Sequence, residues 1–146
     1  MIRIALIRHC EAANGYDDFL RPLSPNGLAQ VPRTADFLRQ NGMPLTRLVC
    51  SPAIRTRDTA RLIAAALQWP VTPLEKAELY NPSNLTSLQQ QIAEAVDGLV
   101  LVGHNPGLTD LVSEMCTVYV GLPPSGAVIL GLDKDGSVSL LSRYLC

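Results

Sequence analysis

The chain opens on a short apolar run at residues 2–7, broken only by Arg3, and similar short runs recur at 47–50, after Arg47, and at 99–102 within an otherwise amphipathic sequence. Runs this short, with no polar alternation, suit strands buried on both faces, as in a parallel sheet covered by helices on each side. Between and after them the apolar period lengthens to that of a helix. Leu28, Val31, Ala35 and Leu38 form one stripe, and Ile54, Ala60, Ile63 and Leu67 a broader one. Leu85, Leu88, Ile92 and Val96, then Leu108, Leu111, Val112 and Met115, give two more.

Three helix starts are marked by a capping residue followed by proline, at Ser24-Pro25, Ser51-Pro52 and Asn105-Pro106, where proline suits the first helical position. Pro32 falls inside the first stripe and predicts either a kink or a helix that begins later. Toward the end, Ala127–Leu132 and Ser137–Tyr144 flank Asp133-Lys134-Asp135-Gly136, a good hairpin turn. There are no repeats, linkers or low-complexity stretches. The expected architecture is a single α/β domain over 1–146: a three-layer sandwich with a mostly parallel central sheet, helices on both faces and a C-terminal antiparallel hairpin at the edge.

Composition then narrows the partners. With 47% apolar and 17% charged residues and a net charge of -1, the chain has no broad basic field for nucleic acid or acidic lipid. Any anion site must therefore be built locally. The first apolar run is interrupted by Arg3 and ended by Arg8-His9, too short for a signal peptide or a membrane span, so the chain reads as cytoplasmic. Cys10, Cys50, Cys116 and Cys146 show no C-x-x-C spacing and are expected as free thiols, with Cys50 and Cys116 packed in the interior. Two histidines are too few for a convincing metal site, and no Walker A sequence occurs, so neither metal nor cofactor is expected.

Ligands of open α/β sheets sit at the carboxyl ends of the strands. The polar residues that fall there are few. The first strand delivers Arg8 and His9, the second Ser51 and, a helical turn on, Arg55, and the run at 99–102 delivers Gly103-His104. Both histidines of the chain land at strand ends. Two guanidinium forks can chelate a tetrahedral anion, helix N-termini add N–H donors, and an imidazole beside them can attack phosphorus in line while a second steadies charge on the equatorial oxygens. A cysteine-dependent phosphatase would need C-x5-R, whereas Cys50 and Arg55 have four residues between them.

Arg8-His9-Cys10-Glu11 resembles the R-H-G-x signature of the histidine phosphatase (phosphoglycerate mutase-like) superfamily. Arg21-Pro22-Leu23-Ser24-Pro25-Asn26-Gly27, Ser51-Pro52-Ala53-Ile54-Arg55-Thr56-Arg57-Asp58-Thr59 and Val102-Gly103-His104-Asn105-Pro106 are similar to three further blocks of that family, in the same order. The short length and the R-P-L block most resemble its SixA branch of small phosphohistidine phosphatases. The resemblance implies His9 as nucleophile, Arg8 and Arg55 as phosphate clamps, His104 as second imidazole and Arg21 as a further phosphate or substrate contact. It leaves the general acid open between Glu78, Asp18 and none. Cys10 departs from the family glycine and places a thiol beside the nucleophile. The favoured substrate is a phosphohistidine-bearing protein, whose imidazole leaves without a strong acid; a small phosphomonoester and a non-catalytic phosphate-binding adaptor are the other readings.

Overall fold

A computed structural model describes residues 1–81, 83 and 85–145. Six strands, β1 (Ile2–Arg8), β2 (Arg47–Cys50), β3 (Leu74–Glu75), β4 (Leu99–Gly103), β5 (Ala127–Leu132) and β6 (Val138–Tyr144), form one sheet in the order β3-β2-β4-β1-β5-β6. The first four in that order are parallel, and β5 pairs antiparallel with both β1 and β6. The C-terminal hairpin therefore supplies the antiparallel edge that its turn residues predict.

The unalternating apolar runs follow from burial on both sides. Ala5, Ile7, Leu48, Val100 and Val102 pack toward α1 (Pro25–Gln40) and α2 (Ile54–Ala66), against Val31, Ala35, Leu38, Ala60 and Ile63. Ile4, Leu6, Val49, Leu99 and Leu101 pack toward α3 (Leu85–Ala93) and α4 (Gly107–Cys116), against Leu88, Leu108 and Leu111. Each fully buried Leu or Ile of this set contributes about 1.5–3 kcal/mol relative to exposure. Neither face could turn polar without loss, so the strands carry no period of two. Trp69 packs at the margin of the first cluster.

Several helix boundaries differ from those read in the sequence. The first helix begins at Pro25, capped by Ser24, whose Oγ accepts from the Gly27 amide at 2.9 Å, and continues through Pro32 to Gln40. It does not start later. Pro32 lies on the solvent side together with Leu28, which is exposed rather than part of the buried stripe, so water can serve the carbonyl that proline leaves without an N–H. The second helix begins two residues past Pro52, at Ile54, with Ala53 as its cap and no side-chain cap bond. The fourth begins at Gly107 with Pro106 as its cap, although Asn105 Oδ1 still accepts from the amide and hydroxyl of Thr109 at 3.1 and 3.0 Å. The third stops at Ala93, leaving Val96 exposed.

The stretch after β1 folds down onto the start of α1. There the Glu11 carbonyl accepts from the Ser24 amide at 3.0 Å, and a Cβ on Gly27 would sit 2.0 Å from that same carbonyl. Only glycine fits such an approach. Cys10 and Cys50 are buried free thiols; Cys116, at the last residue of α4, is only half-buried, contrary to expectation, and Cys146 lies outside the described residues.

Candidate active site

Sheet order brings the site together. β4 lies between β1 and β2, with Arg8 paired to Gly103 and Cys50 to Val102, so the residues that follow the three strands, His9, His104 and Ser51, emerge side by side. The His9 amide donates to the Gly103 carbonyl at 3.1 Å and the Ser51 amide to Val102 at 3.3 Å, carrying the pairing one residue past each strand. The two imidazoles meet edge to face with centroids 5.4 Å apart. Arg55, in the first turn of α2, reaches back so that Nη2 lies 3.5 Å from His104 Nδ1. Around them is an open cavity of about 820 Å³ lined by Arg8, His9, Asp18, Arg21, Arg55, Ala77, Glu78, Tyr80, Asn81, His104 and Asn105.

Hydrogen bonds assign the protons. His9 Nδ1 lies 2.7 Å from the Cys10 carbonyl, which only accepts, so Nδ1 carries the proton and the lone pair resides on Nε2. Burial, reinforced by Arg55, Arg8 and Arg21, pushes His9 down to about 4 despite that backbone bond. Burial likewise takes His104 down to about 3, with His9 and Arg55 adding to the effect. Both rings are neutral at physiological pH. The buried Ser51 hydroxyl stands 2.8 Å from His104 Nε2 and accepts from the Ala53 amide at 3.2 Å, just ahead of α2. Arg8 donates from Nη1 to the Leu122 carbonyl at 3.0 Å, a carbonyl it shares with Asn105 Nδ2 at 2.8 Å.

A third group closes the mouth. A short 3-10 turn, Asp18–Leu20, sets Asp18 against Arg55: Nη1 donates to its backbone carbonyl at 2.7 Å and Nη2 to Oδ2 at 3.1 Å. Arg21 Nη1 donates to Oδ1 at 3.2 Å, and the Tyr80 hydroxyl to Oδ2 at 2.7 Å. The Tyr80 bond, followed by those from Arg55 and Arg21, holds Asp18 down at about 2, while the same carboxylate raises the phenol. Asp18 is thus an ionised carboxylate at neutral pH rather than a proton donor. Tyr80 also turns its ring edge-on to His104 and Phe19, at centroid distances of 6.0 and 5.3 Å.

All six site residues read from the sequence line this pocket: Arg8, His9, Arg21, Arg55, Glu78 and His104. Glu78 stands exposed on a second 3-10 turn, Ala77–Leu79. Arg55 pairs with Asp18 across the fold and not with Asp58, which approaches Arg57. Sequence reasoning missed Tyr80 and the hydroxyl of Ser51 as a partner of His104. No group of three or more His, Cys, Asp or Glu among the described residues could hold a metal ion.

Cys10 is fully buried, and its side chain belongs to the core under α1 and α2 rather than to the cavity lining. Burial pushes the thiol up to about 11, opposed by Thr59, whose hydroxyl receives the Cys10 amide at 3.0 Å. The thiol therefore neither crowds an anion nor ionises. Alkylation with N-ethylmaleimide under native conditions is expected to leave Cys10 unmodified, and labelling should appear on unfolding; mass spectrometry showing rapid native labelling at Cys10 would contradict this burial.

A sheet of this order with its cationic pocket over the carboxyl ends of β1, β4 and β2 is the phosphoglycerate mutase-like α/β architecture. The chain belongs to the histidine phosphatase superfamily (branch 1), which it matches over residues 4–98. Among curated proteins it is similar to phosphohistidine phosphatase SixA of Escherichia coli, at 26% identity over 93% of this chain and 89% of that one. Among solved structures it is similar to the protein histidine phosphatase SixA complexed with tungstate, at 23% identity with a TM-score of 0.85 and coverage of 99% and 97%. A structure assigned to SixA of Agrobacterium tumefaciens follows at 27% identity, TM-score 0.82 and coverage of 98% and 97%. No helix among the described residues is long and apolar enough to cross a membrane.

Proposed function

We propose that the protein is a metal-independent phosphohistidine phosphatase that works through a phosphoenzyme on His9. The observation that carries this reading is the state of His9: neutral, with Nδ1–H donated to the Cys10 carbonyl and the Nε2 lone pair free to attack. Arg8 and Arg55, with Arg21 at the rim, bind the phosphoryl oxygens, and His104, anchored by Ser51, stands next to the transferring group. The tungstate bound by the structurally similar SixA is a tetrahedral oxyanion of the kind such a pocket accepts.

Proton balance favours an imidazole leaving group. Nε2 of His9 forms the new P–N bond as the P–N bond of the substrate breaks, and the electron pair returns to the departing ring. If that ring carries a proton on its other nitrogen, it leaves as neutral imidazole with no acid required. The product on His9 is its mirror: a phosphorylated ring whose Nδ1–H remains on the Cys10 carbonyl. Water then attacks phosphorus, the bond to Nε2 breaks, dihydrogen phosphate departs and neutral His9 is restored. No step draws a proton from Asp18, which has none to give. A small phosphomonoester is the second reading, favoured by Glu78, an exposed carboxyl on the pocket wall able to protonate an alkoxide.

Assay of the purified protein in EDTA on a phosphohistidine-bearing protein and on an aryl phosphate tests this. Turnover of the phosphohistidine substrate at the higher kcat/KM is expected. Preference for alkyl phosphomonoesters would favour the second reading, loss of activity in EDTA would remove metal independence, and phosphate binding without turnover of either substrate would make the protein an adaptor.

A further inference from the structure

Asp18 is an ionised carboxylate placed in a pocket otherwise built for anions, and its position is fixed independently of its charge. Arg55 Nη1 grips the Asp18 backbone carbonyl at 2.7 Å, so the residue stays at the rim whatever its side chain does. The carboxylate itself occupies Arg55 Nη2, Arg21 Nη1 and the Tyr80 hydroxyl, donors that a phosphoryl group would also use. A phosphoryl group that took Arg55 Nη2 and Arg21 Nη1 would leave Arg55 Nη1 on the Asp18 backbone carbonyl, so the carboxylate would stay at the rim, facing the group that the phosphorus carries. For a dianionic ester this neighbour is repulsive. For a ring that bears positive charge it is attractive, and a carboxylate accepts an imidazolium N–H well.

The nucleophile already shows the matching device on its own side, where the Cys10 carbonyl holds the Nδ1–H of His9. Transfer between two imidazoles calls for an acceptor at the distal N–H of each. We propose that Asp18, steadied by the Tyr80 hydroxyl, is the specificity-determining residue that accepts the distal N–H of a protonated phosphoimidazole leaving group and disfavours phosphate esters. This deepens the phosphohistidine reading above and rests on it. The step adds no proton: the distal N–H stays on the departing ring, the electron pair of the broken P–N bond neutralises that ring, and Asp18 remains ionised throughout. The Tyr80 ring, edge-on to His104, walls the space in which the ring would lie.

The test compares N-phosphorylimidazole with p-nitrophenyl phosphate in the wild type and in Asp18→Asn, with inorganic phosphate inhibition as a second measurement. Asparagine keeps the backbone tether and the size but removes the charge. The ratio of kcat/KM for N-phosphorylimidazole over p-nitrophenyl phosphate is expected to fall about tenfold or more, the scale of one lost charge-assisted hydrogen bond. Inorganic phosphate should bind more tightly, because Arg55 and Arg21 lose a competitor. Equal changes on both substrates, or an unchanged ratio, would reduce Asp18 to a support for Arg55 and overturn the inference while leaving the phosphohistidine reading intact. A wild type that turns over p-nitrophenyl phosphate but not N-phosphorylimidazole would overturn that reading and this inference together. Tyr80→Phe, which keeps the ring and removes the donor, should shift the ratio in the same direction by less; a shift toward N-phosphorylimidazole would count against the proposal.

Discussion

Replacing His9 by alanine is expected to abolish turnover, with a loss of at least about a thousandfold in kcat, as for other enzymes stripped of a covalent nucleophile. No second group in the pocket substitutes for it. His104 has its Nε2 bound to the Ser51 hydroxyl and its Nδ1 toward Arg55. Brief reaction of the wild type followed by denaturation should trap phosphate that is stable in base and labile in acid, and the mapped site should be His9. The pH dependence has a defined sign. Attack needs the neutral ring, and the free enzyme holds His9 at about 4, so kcat/KM should not fall on account of this group until the pH drops to that region. A free imidazole would already lose activity below its ordinary value of about 6.5. Near-normal turnover by His9→Ala, or trapped phosphate on another residue, would end the phosphoenzyme mechanism proposed here.

The layering of the fold was legible because two-sided burial leaves an unmistakable mark: no polar residue interrupts 4–7 or 99–102. The core of the site was legible for a related reason. Both histidines of the chain follow strands, and neighbouring parallel strands deliver consecutive positions to one edge. What escaped depends on contacts that no local pattern encodes. Tyr80 meets Asp18 across 62 positions of sequence, and the Ser51 hydroxyl meets His104 across 53. Ser51-Pro52 reads as a helix start because serine caps helices well; the helix instead begins at Ile54, and the Ser51 hydroxyl meets the His104 imidazole while accepting the Ala53 amide. Asp18 stands as a candidate acid in the sequence, which shows a carboxyl group and not its neighbours; the Tyr80 hydroxyl and then two arginines hold it ionised. Cys10 stands beside His9 in the sequence, yet successive side chains leave a strand end on opposite sides, and this thiol enters the core.

Arg55→Ala is expected to have the second largest effect, and on binding as well as rate. Arg55 is only 7% exposed and its guanidinium reaches from Asp18 to His104, so the vacated space leaves a carboxylate and an imidazole without their shared partner. Two charge-assisted hydrogen bonds to a phosphoryl group, at about 1.5–3 kcal/mol each and tenfold per 1.4 kcal/mol, correspond to a loss of about 10²- to 10⁴-fold in kcat/KM. Arg55→Lys separates charge from geometry. A lysine supplies the positive charge but not the planar fork that contacts two oxygens at once, so it should restore only part of the loss. Inorganic phosphate affinity, measured calorimetrically, should weaken in both variants and more in alanine. The histidines give an independent readout, because the positive charge of Arg55 helps to hold His9 and His104 below their ordinary range. In Arg55→Ala their NMR titrations should move upward, although burial, the larger cause, keeps them depressed. Unchanged phosphate affinity together with unchanged kcat/KM would remove Arg55 from the phosphate site and return it to the role of an anchor for the loop at Asp18.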